Sequence, residues 1–594
     1  MPLDPDKRLE HWLGQCLEHG SRLRFGAPLS ALDEAQRERW LDSLAAHPVS
    51  GALLQALSAP ARLRWLAEPR ILARTGQRPD PAAPAQPEQP RWRQQIATPR
   101  DFPENETLEA DVVVVGTGAG GAAAAWELAS HGLAVLMIEE GDYPDREALA
   151  QDLPTLVERL YRHRGLTGTV GNTLIPVPLG RCVGGTTTIN SGTCVRPPAA
   201  ILEQWHGEGL HLFGSDRLTP HLDMVESVLS VQPAERRHIG PVADIIEQGA
   251  KALGFQQAHC LPRNAVGCDG QGRCQFGCPT EAKQSTQVSF VPQALQKGAF
   301  LVSGYRVQRL ERRGAQVQGL EAVAADGVKR LKVRAQAVVL SMGSLLTPAF
   351  LQKEGVRNAW LGANLSLHPA GAVTAWFPGM DFRNSHTIPQ GFGVSDLADE
   401  GILFEGATLP LPVHGLLSPY QGQRFTEQMQ RYQETAFFGF MIRDDSRGRV
   451  RHVPGLPFPW ITYRMNQADF ERFKHATALL TAMYFAAGAR SVNLPGLKFR
   501  QELRSQEEAR QAIGAARHPR DFLVSAYHPL GTCRLAPHAA QGVCDPTHRV
   551  FGYHNLYVMD GSNLPSAPGV NPQVTIMALA LRGAGLLAQR LANG

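Results

Sequence analysis

Four consecutive valines, Val112 to Val115, show no polar alternation and predict a strand buried on both faces. An alanine-rich stretch from Ala119 to His131 follows and predicts a helix, ended by Gly132. Ala134 to Ile138 reads as a second strand with Glu139 at its tip, which completes a strand–helix–strand unit. Far downstream, Val338 to Leu340 repeats the buried-strand pattern, then a small-residue turn holds Ser341, Gly343 and Ser344. Thr347 and Pro348 predict the N-cap and first position of the next helix. Leu556 to Met559 is a short apolar strand ending at Asp560, and Asn571-Pro572 predicts a capped helix reaching about Leu587. In the first 77 residues, Ser30-Ala-Leu-Asp33 has the capping-box pattern, and Leu32, Trp40, Leu41 and Leu44 recur at roughly helical spacing. Leu53, Leu54, Leu57, Leu63, Trp65 and Leu66 extend that reading to further amphipathic helices. Scattered aromatic and β-branched residues between 371 and 515, with frequent turn signals, predict an antiparallel sheet.

The first turn carries chemistry. Gly116, Gly118 and Gly121 have G-x-G-x-x-G spacing between strand and helix. Gly116 allows the tight turn, Gly118 lets backbone approach a pyrophosphate, and Gly121 lets the helix pack on the strand. The helix then aims its first N–H groups, from Ala119 onward, at the phosphates, and Glu139 is placed to accept from a ribose. This fingerprint predicts a dinucleotide site without choosing FAD over NAD. A second small-residue loop, Gly184-Gly185-Thr186-Thr187-Thr188, suits close approach to a phosphate or a flat ring.

Composition narrows the class. At 594 residues, 43% hydrophobic and 19% charged, the chain reads as globular with two or three structural units. A formal net charge of +4 favours no polyanionic partner, and no nucleic-acid motif is present. No apolar run reaches membrane-spanning length, and Met1 is not followed by a basic then apolar leader. The expectation is a cytoplasmic protein without a signal peptide. Arg62, Arg64, Arg70 and Arg74 beside leucines and tryptophan keep peripheral membrane contact open.

Six segments in order resemble the glucose–methanol–choline (GMC) flavoprotein oxidoreductases. They are GTGAGG with Glu139, GR-x-x-GGTTTIN at 180–190, GSLLTP at 343–348, NL-x-x-HP at 364–369, HPLGTC at 528–533 and DGS…GVNPQVT at 560–575. The resemblance implies FAD, an α/β fold (α+β overall) and a discontinuous Rossmann-like FAD-binding domain beside a mixed antiparallel-sheet substrate domain. The boundaries this suggests are a helical extension at 1–77, a proline-rich linker at 78–107, and FAD-binding segments at 108–200, 301–370 and 516–594. A cap with the cysteine cluster falls at 201–300 and the substrate domain at 371–515. The N-terminal helices and DDSRGRV at 444–450 further resemble the long-chain fatty-alcohol oxidase and dehydrogenase branch.

By this resemblance His528 is the base that takes the hydroxyl proton while hydride passes to the flavin, and Asn571 hydrogen-bonds the substrate oxygen. Gly116, Gly118, Ala119, Gly121, Glu139, Gly184, Gly185, Thr186, Asn190, Asp560, Gly561, Pro572, Gln573 and Val574 are the implied FAD-binding residues. Ile189 stands where some relatives attach the flavin to a histidine, so the FAD is expected to be non-covalent. The expected partners are an alcohol, primary and long-chain on the finer resemblance, and either O₂ or an external electron acceptor. A sugar dehydrogenase and a hydroxynitrile lyase-like activity are the alternatives.

Cys268, Cys274 and Cys278 stand in C-x5-C-x3-C-P spacing, which suggests iron–sulfur ligation. The spacing also resembles a branch of GMC dehydrogenases that holds a [3Fe–4S] cluster on three cysteines. A glycine-rich loop with free or paired thiols gives the same sequence, and zinc stays open with His259 or Cys260 as a fourth ligand.

Overall fold

In a computed structural model of the chain, the residues described are 27–46, 61–76 and 90–593 apart from 385, 407, 497 and 500, with isolated positions between 18 and 58. Leu53, Leu57 and positions 78–89 of the predicted linker lie outside them.

The valine run forms the inner part of the strand Asn105–Val115, with all four valines buried. Its neighbours are Val135–Glu139 on one side and Arg330–Leu340 on the other, both parallel. Phe300–Ser303 and then Ile96–Ala97 extend the sheet beyond Val135–Glu139. Leu556–Val558 adds to Arg330–Leu340 in parallel. One sheet is thus built from three stretches of chain far apart in sequence. The strands Tyr305–Arg313 and Gln316–Ala324 complete it as an antiparallel meander. Helix Ala119–Ser130 lies between Phe290–Gln296 and the last helix, Gln573–Ala592. Close packing on that helix is why its contact face is Gly and Ala.

A second, wholly antiparallel sheet runs Ser491–Asn493, Ala370–Trp376, Thr435–Ile442, Ile402–Gly406, Phe392–Val394 and Ala258–Cys260. The 20-residue helix Gln467–Ala486 covers it. Each sheet has its own buried apolar cluster.

The N-terminal helices are capped differently from the expectation. Asp33, not Ser30, caps Glu34–Ala46: its Oδ1 accepts the Gln36 N–H at 2.7 Å and Gln36 Oε1 accepts the Asp33 N–H at 3.1 Å. Residues 61–76 pack against positions 411–432, with Leu66 and Ile71 among Leu411, Tyr420, Phe425 and Met429. The Arg62 guanidinium donates to the carbonyls of Gly415, Ser418 and Tyr420 and stacks on Phe425. Among the described residues Gln573–Ala592 is the one helix long and apolar enough to cross a membrane; it is mostly buried against Ala119–Ser130 and Ser215–Val228.

Candidate active site

A single cavity of about 1400 Å³ connects the two sheets. At one part of its wall lie Gly116, Gly118, Ala119 and Glu139, and at another His528 and Asn571. Gly185, Thr186, Asn190, Asp560, Gly561, Pro572 and Gln573 also line it, whereas Gly121, Gly184 and Val574 sit behind the wall. Gly116 has φ +97°, a left-handed conformation that glycine adopts without strain. A Cβ on Gly118 would meet nothing within 4 Å and would project into open space. That bare backbone in front of a helix N-terminus fits a pyrophosphate. Glu139 Oε2 accepts from the Thr117 N–H at 3.0 Å and hydroxyl at 2.8 Å, and Oε1 accepts from the Gly141 N–H at 3.2 Å. Burial pushes its pKa up while these donors pull it back. The carboxylate therefore pins the glycine loop. The second glycine loop locks onto the first, because the Gly184 N–H donates to Thr117 Oγ1 at 3.0 Å. These features fit FAD, which would bring a hydride acceptor to the cavity.

The downstream motifs are sewn together by backbone. Ser366 and Leu530 exchange N–H···O bonds at 3.1 and 3.0 Å, and the Gly531 and Cys533 N–H groups donate to the Gly561 and Ser562 carbonyls. Asp560 accepts four donors: the Ser562 N–H and hydroxyl, the Gly343 N–H and the Thr347 hydroxyl. Hydrogen bonds to a charged group contribute about 1.5–3 kcal/mol each, which offsets a burial cost of several kcal/mol. Thr347 is consequently not an N-cap. It lies inside the helix Leu346–Lys353, and its hydroxyl serves Asp560.

The same seam brings two histidines together. His368 Nδ1 and His528 Nδ1 are 3.1 Å apart with rings at 84°. The Gly569 N–H donates to His368 Nε2 at 2.8 Å. Burial pushes the pKa of His528 down to about 4 and that of His368 well below its usual value, so both rings are neutral at pH 7. Asp444, from DDSRGRV, holds the His368 loop: it accepts the Leu367 and His368 N–H groups at 3.0 and 3.1 Å and the Tyr463 hydroxyl at 2.8 Å. Asp444→Ala is expected to cost at least ~2 kcal/mol, since three buried donors lose their acceptor. The urea midpoint would report it.

Asn571 is also not a helix cap. The helix begins at Gln573 with Pro572 before it, and the Asn571 amide donates to Glu405 Oε1 at 3.2 Å. Asn190 Nδ2 donates to Gln573 Oε1 at 2.9 Å and ties the second glycine loop to this helix. Glu405, Asp444 and the role of His368 are not evident from spacing. The only signal for Glu405 is an acid inside the apolar strand ILFEG.

The structure gives no support to iron–sulfur ligation by Cys268, Cys274 and Cys278. Among the described residues no group of three or more His, Cys, Asp or Glu is arranged to hold a metal. Cys274 Sγ accepts from Arg263 at 3.2 Å, and Cys278 Sγ accepts the Lys283 N–H at 3.4 Å. The buried Lys283 ammonium donates to the carbonyls of Thr188, Asn190 and Cys274. Through Lys283 the loop braces the second glycine loop.

The GMC oxidoreductase family description matches residues 157–370 and 444–580, and an NAD(P)-binding Rossmann-like domain matches 114–144. An uncharacterized GMC-type oxidoreductase of Mycobacterium tuberculosis is 37% identical over 80% of this chain and 75% of its own length. One from Sinorhizobium fredii is 32% identical over 80% and 94%. The long-chain-alcohol oxidase FAO4B of Arabidopsis thaliana is 30% identical over 80% and 66%. Among solved structures, formate oxidase of Aspergillus oryzae superposes with TM-score 0.61 at 15% identity, covering 82% of this chain and 99% of that one. The chain belongs to the GMC oxidoreductase family, FAD-dependent enzymes acting on CH–OH groups.

Proposed function

We propose that this chain oxidises a primary long-chain alcohol to the aldehyde, with non-covalent FAD and O₂ as the acceptor. The supporting observation is the continuous cavity, which joins the glycine loop to His528 and Asn571 and is walled by Leu166, Leu174, Leu416, Leu417, Leu456 and Phe458. The likeness to plant long-chain-alcohol oxidases points the same way. The implied FAD-binding residues keep that role in the proposal, Gly121, Gly184 and Val574 through packing. His528 is the acid–base partner at the alcohol oxygen, and Asn571 positions that oxygen. Ile189 offers no nucleophile to the flavin, so acid precipitation should release all of it.

Anaerobic bleaching of the flavin by 1-alkanols tests the reading. Each added CH₂ buried against the apolar wall should raise kcat/KM about fourfold until the cavity is filled, from ~0.8 kcal/mol per methylene. Bleaching by sugars and not by alkanols would replace the substrate class. Turnover without bleaching would replace oxidation with a lyase reaction.

A further inference from the structure

We propose that the buried cations Lys283 and Arg263 raise the reduction potential of the bound flavin, by polarising the second glycine loop toward the negative charge that reduction creates. The inference deepens the reading of flavin-dependent oxidation and rests on it, but not on which alcohol is oxidised.

Both side chains are 3% exposed. Lys283 Nζ donates to the carbonyls of Thr188, Asn190 and Cys274 at 2.8, 2.8 and 2.6 Å. Arg263 Nη2 donates to the Ser191 carbonyl at 2.6 Å and to Cys274 Sγ at 3.2 Å. Burial lowers the Lys283 pKa to about 8, which leaves it charged at pH 7. Among the described residues neither cation forms an ion pair with a carboxylate. The ionisable groups facing Lys283 are Arg263 and the thiols of Cys182, Cys274 and Cys278. Buried charges are ordinarily paired, because nothing else restores the hydration they lose. Two that share Cys274 and have only carbonyls and sulfur as partners leave room for an anion from outside the chain.

The loop connects these charges to the cavity. In a planar trans peptide the N–H points opposite to the preceding C=O. The Asn190 carbonyl is turned to Lys283, so the Ser191 N–H is turned away from it. Neither that N–H nor the Asn190 N–H has an acceptor among the described residues. Asn190 and Ser191 both line the cavity, whereas Lys283 and Arg263 stand behind its wall. The cations thus touch no reacting atom and act through the loop, at a depth where charge is weakly screened.

Position along the cavity decides which anion they serve. The start of the loop faces the phosphate turn, since a Cβ on Gly185 would stand 3.0 Å from Gly118 Cα. The far end meets the last helix: Asn190 Nδ2 donates to Gln573 Oε1 at 2.9 Å, and Gln573 Nε2 donates to the Thr193 carbonyl at 2.6 Å. The carbonyls that Lys283 and Arg263 hold, at 188, 190 and 191, belong to this far end, toward Asn571. Hydride transfer breaks the alcohol C–H bond and gives the flavin two electrons and one proton, hence one net negative charge. A fixed positive field behind the loop favours that reduced form over the oxidised one.

Lys283→Gln and Arg263→Gln each remove a charge and keep a donor. Titration of the holoenzyme against a reference dye with a chemical reductant should show the two-electron flavin potential lowered by about 30–60 mV in each. That corresponds to reduced flavin held about 10–100-fold less tightly relative to oxidised flavin. Sulfite adds to oxidised flavin and leaves it negatively charged, so the sulfite Kd should rise by a similar factor. Lys283→Arg keeps the charge and should stay within about threefold of wild type in both readouts. Melting temperature and affinity for oxidised FAD report bracing of the loop separately. If those change while potential and sulfite Kd stand still in both Gln variants, the cations only brace the loop and the proposal is overturned. Equal shifts in Lys283→Arg and Lys283→Gln overturn it as well. Should the Gln variants not retain FAD, the wild-type protein decides, and a flavin potential at or below that of free FAD overturns the proposal. Neither readout uses an alcohol. A flavin that shows these shifts yet is bleached by no alkanol would overturn the substrate reading and leave this inference standing.

Discussion

His528→Ala is expected to lower kcat and kcat/KM for an alcohol about 10²–10⁴-fold, the range acid–base and oxyanion-type groups supply. The loss should fall on kcat, because His528 is proposed to act on a hydroxyl oxygen whose charge develops during the reaction. Stability should change far less. The variant leaves His368 Nδ1 without its partner, a cost of about 1–3 kcal/mol at most. Flavin content should stay that of wild type, since none of the Gly116–Glu139 contacts involves His528. Steady-state kinetics beside a thermal melt separates the two effects. A variant within a few-fold of wild type would remove His528 from the reaction.

The second large effect concerns the cofactor. A Cβ on Gly121 would stand 2.0 Å from the Gly116 carbonyl oxygen and 3.0 Å from Ser341 Cβ. The first of these is backbone and cannot rotate away. Gly121→Ala should therefore push helix Ala119–Ser130 off the strand, with an overpacking cost of ~1–3 kcal/mol or more, and strip the FAD. Gly118→Ala is the informative partner. Its Cβ meets no protein atom within 4 Å, so the fold should hold while flavin is lost into solution. The flavin-to-protein ratio and the melting temperature together read both variants. Gly118→Ala with a full flavin complement would mean that no pyrophosphate passes that backbone.

The strand–helix–strand unit was legible because its signals are local. A valine run, a glycine spacing and a terminal acid all fall within about thirty residues. The misread caps show the limit. Thr347 and Asn571 have the residue types and neighbours of N-caps, yet their side chains bond Asp560 and Glu405, more than 150 positions away. Nothing in a local window records such a partner. The same holds for His368, whose ring nitrogens meet the Gly569 N–H and His528 Nδ1. DDSRGRV could be read only as a mark of lineage, although Asp444 supports the His368 loop. The cysteine spacing finds no support of that kind: Cys274 and Cys278 hydrogen-bond Arg263 and Lys283 in a loop with left-handed glycines at 270, 272 and 277.

The strand Leu556–Val558 joins a sheet begun by Asn105–Val115. That arrangement has a consequence during synthesis. Chain elongation at about 5–20 residues per second puts on the order of 20–90 s between the making of those two strands. For that interval the nascent protein carries an unfilled sheet edge beside Arg330–Leu340, where Val338 to Leu340 await their partner. Contacts of such sequence separation also form slowly once the chain is complete. Flavin can therefore be captured only after translation has passed Asn571, and the half-made sheet is the species that chaperones would have to shield. Slower production at lower temperature, with flavin in excess, should raise the fraction of chains recovered with the cofactor in place.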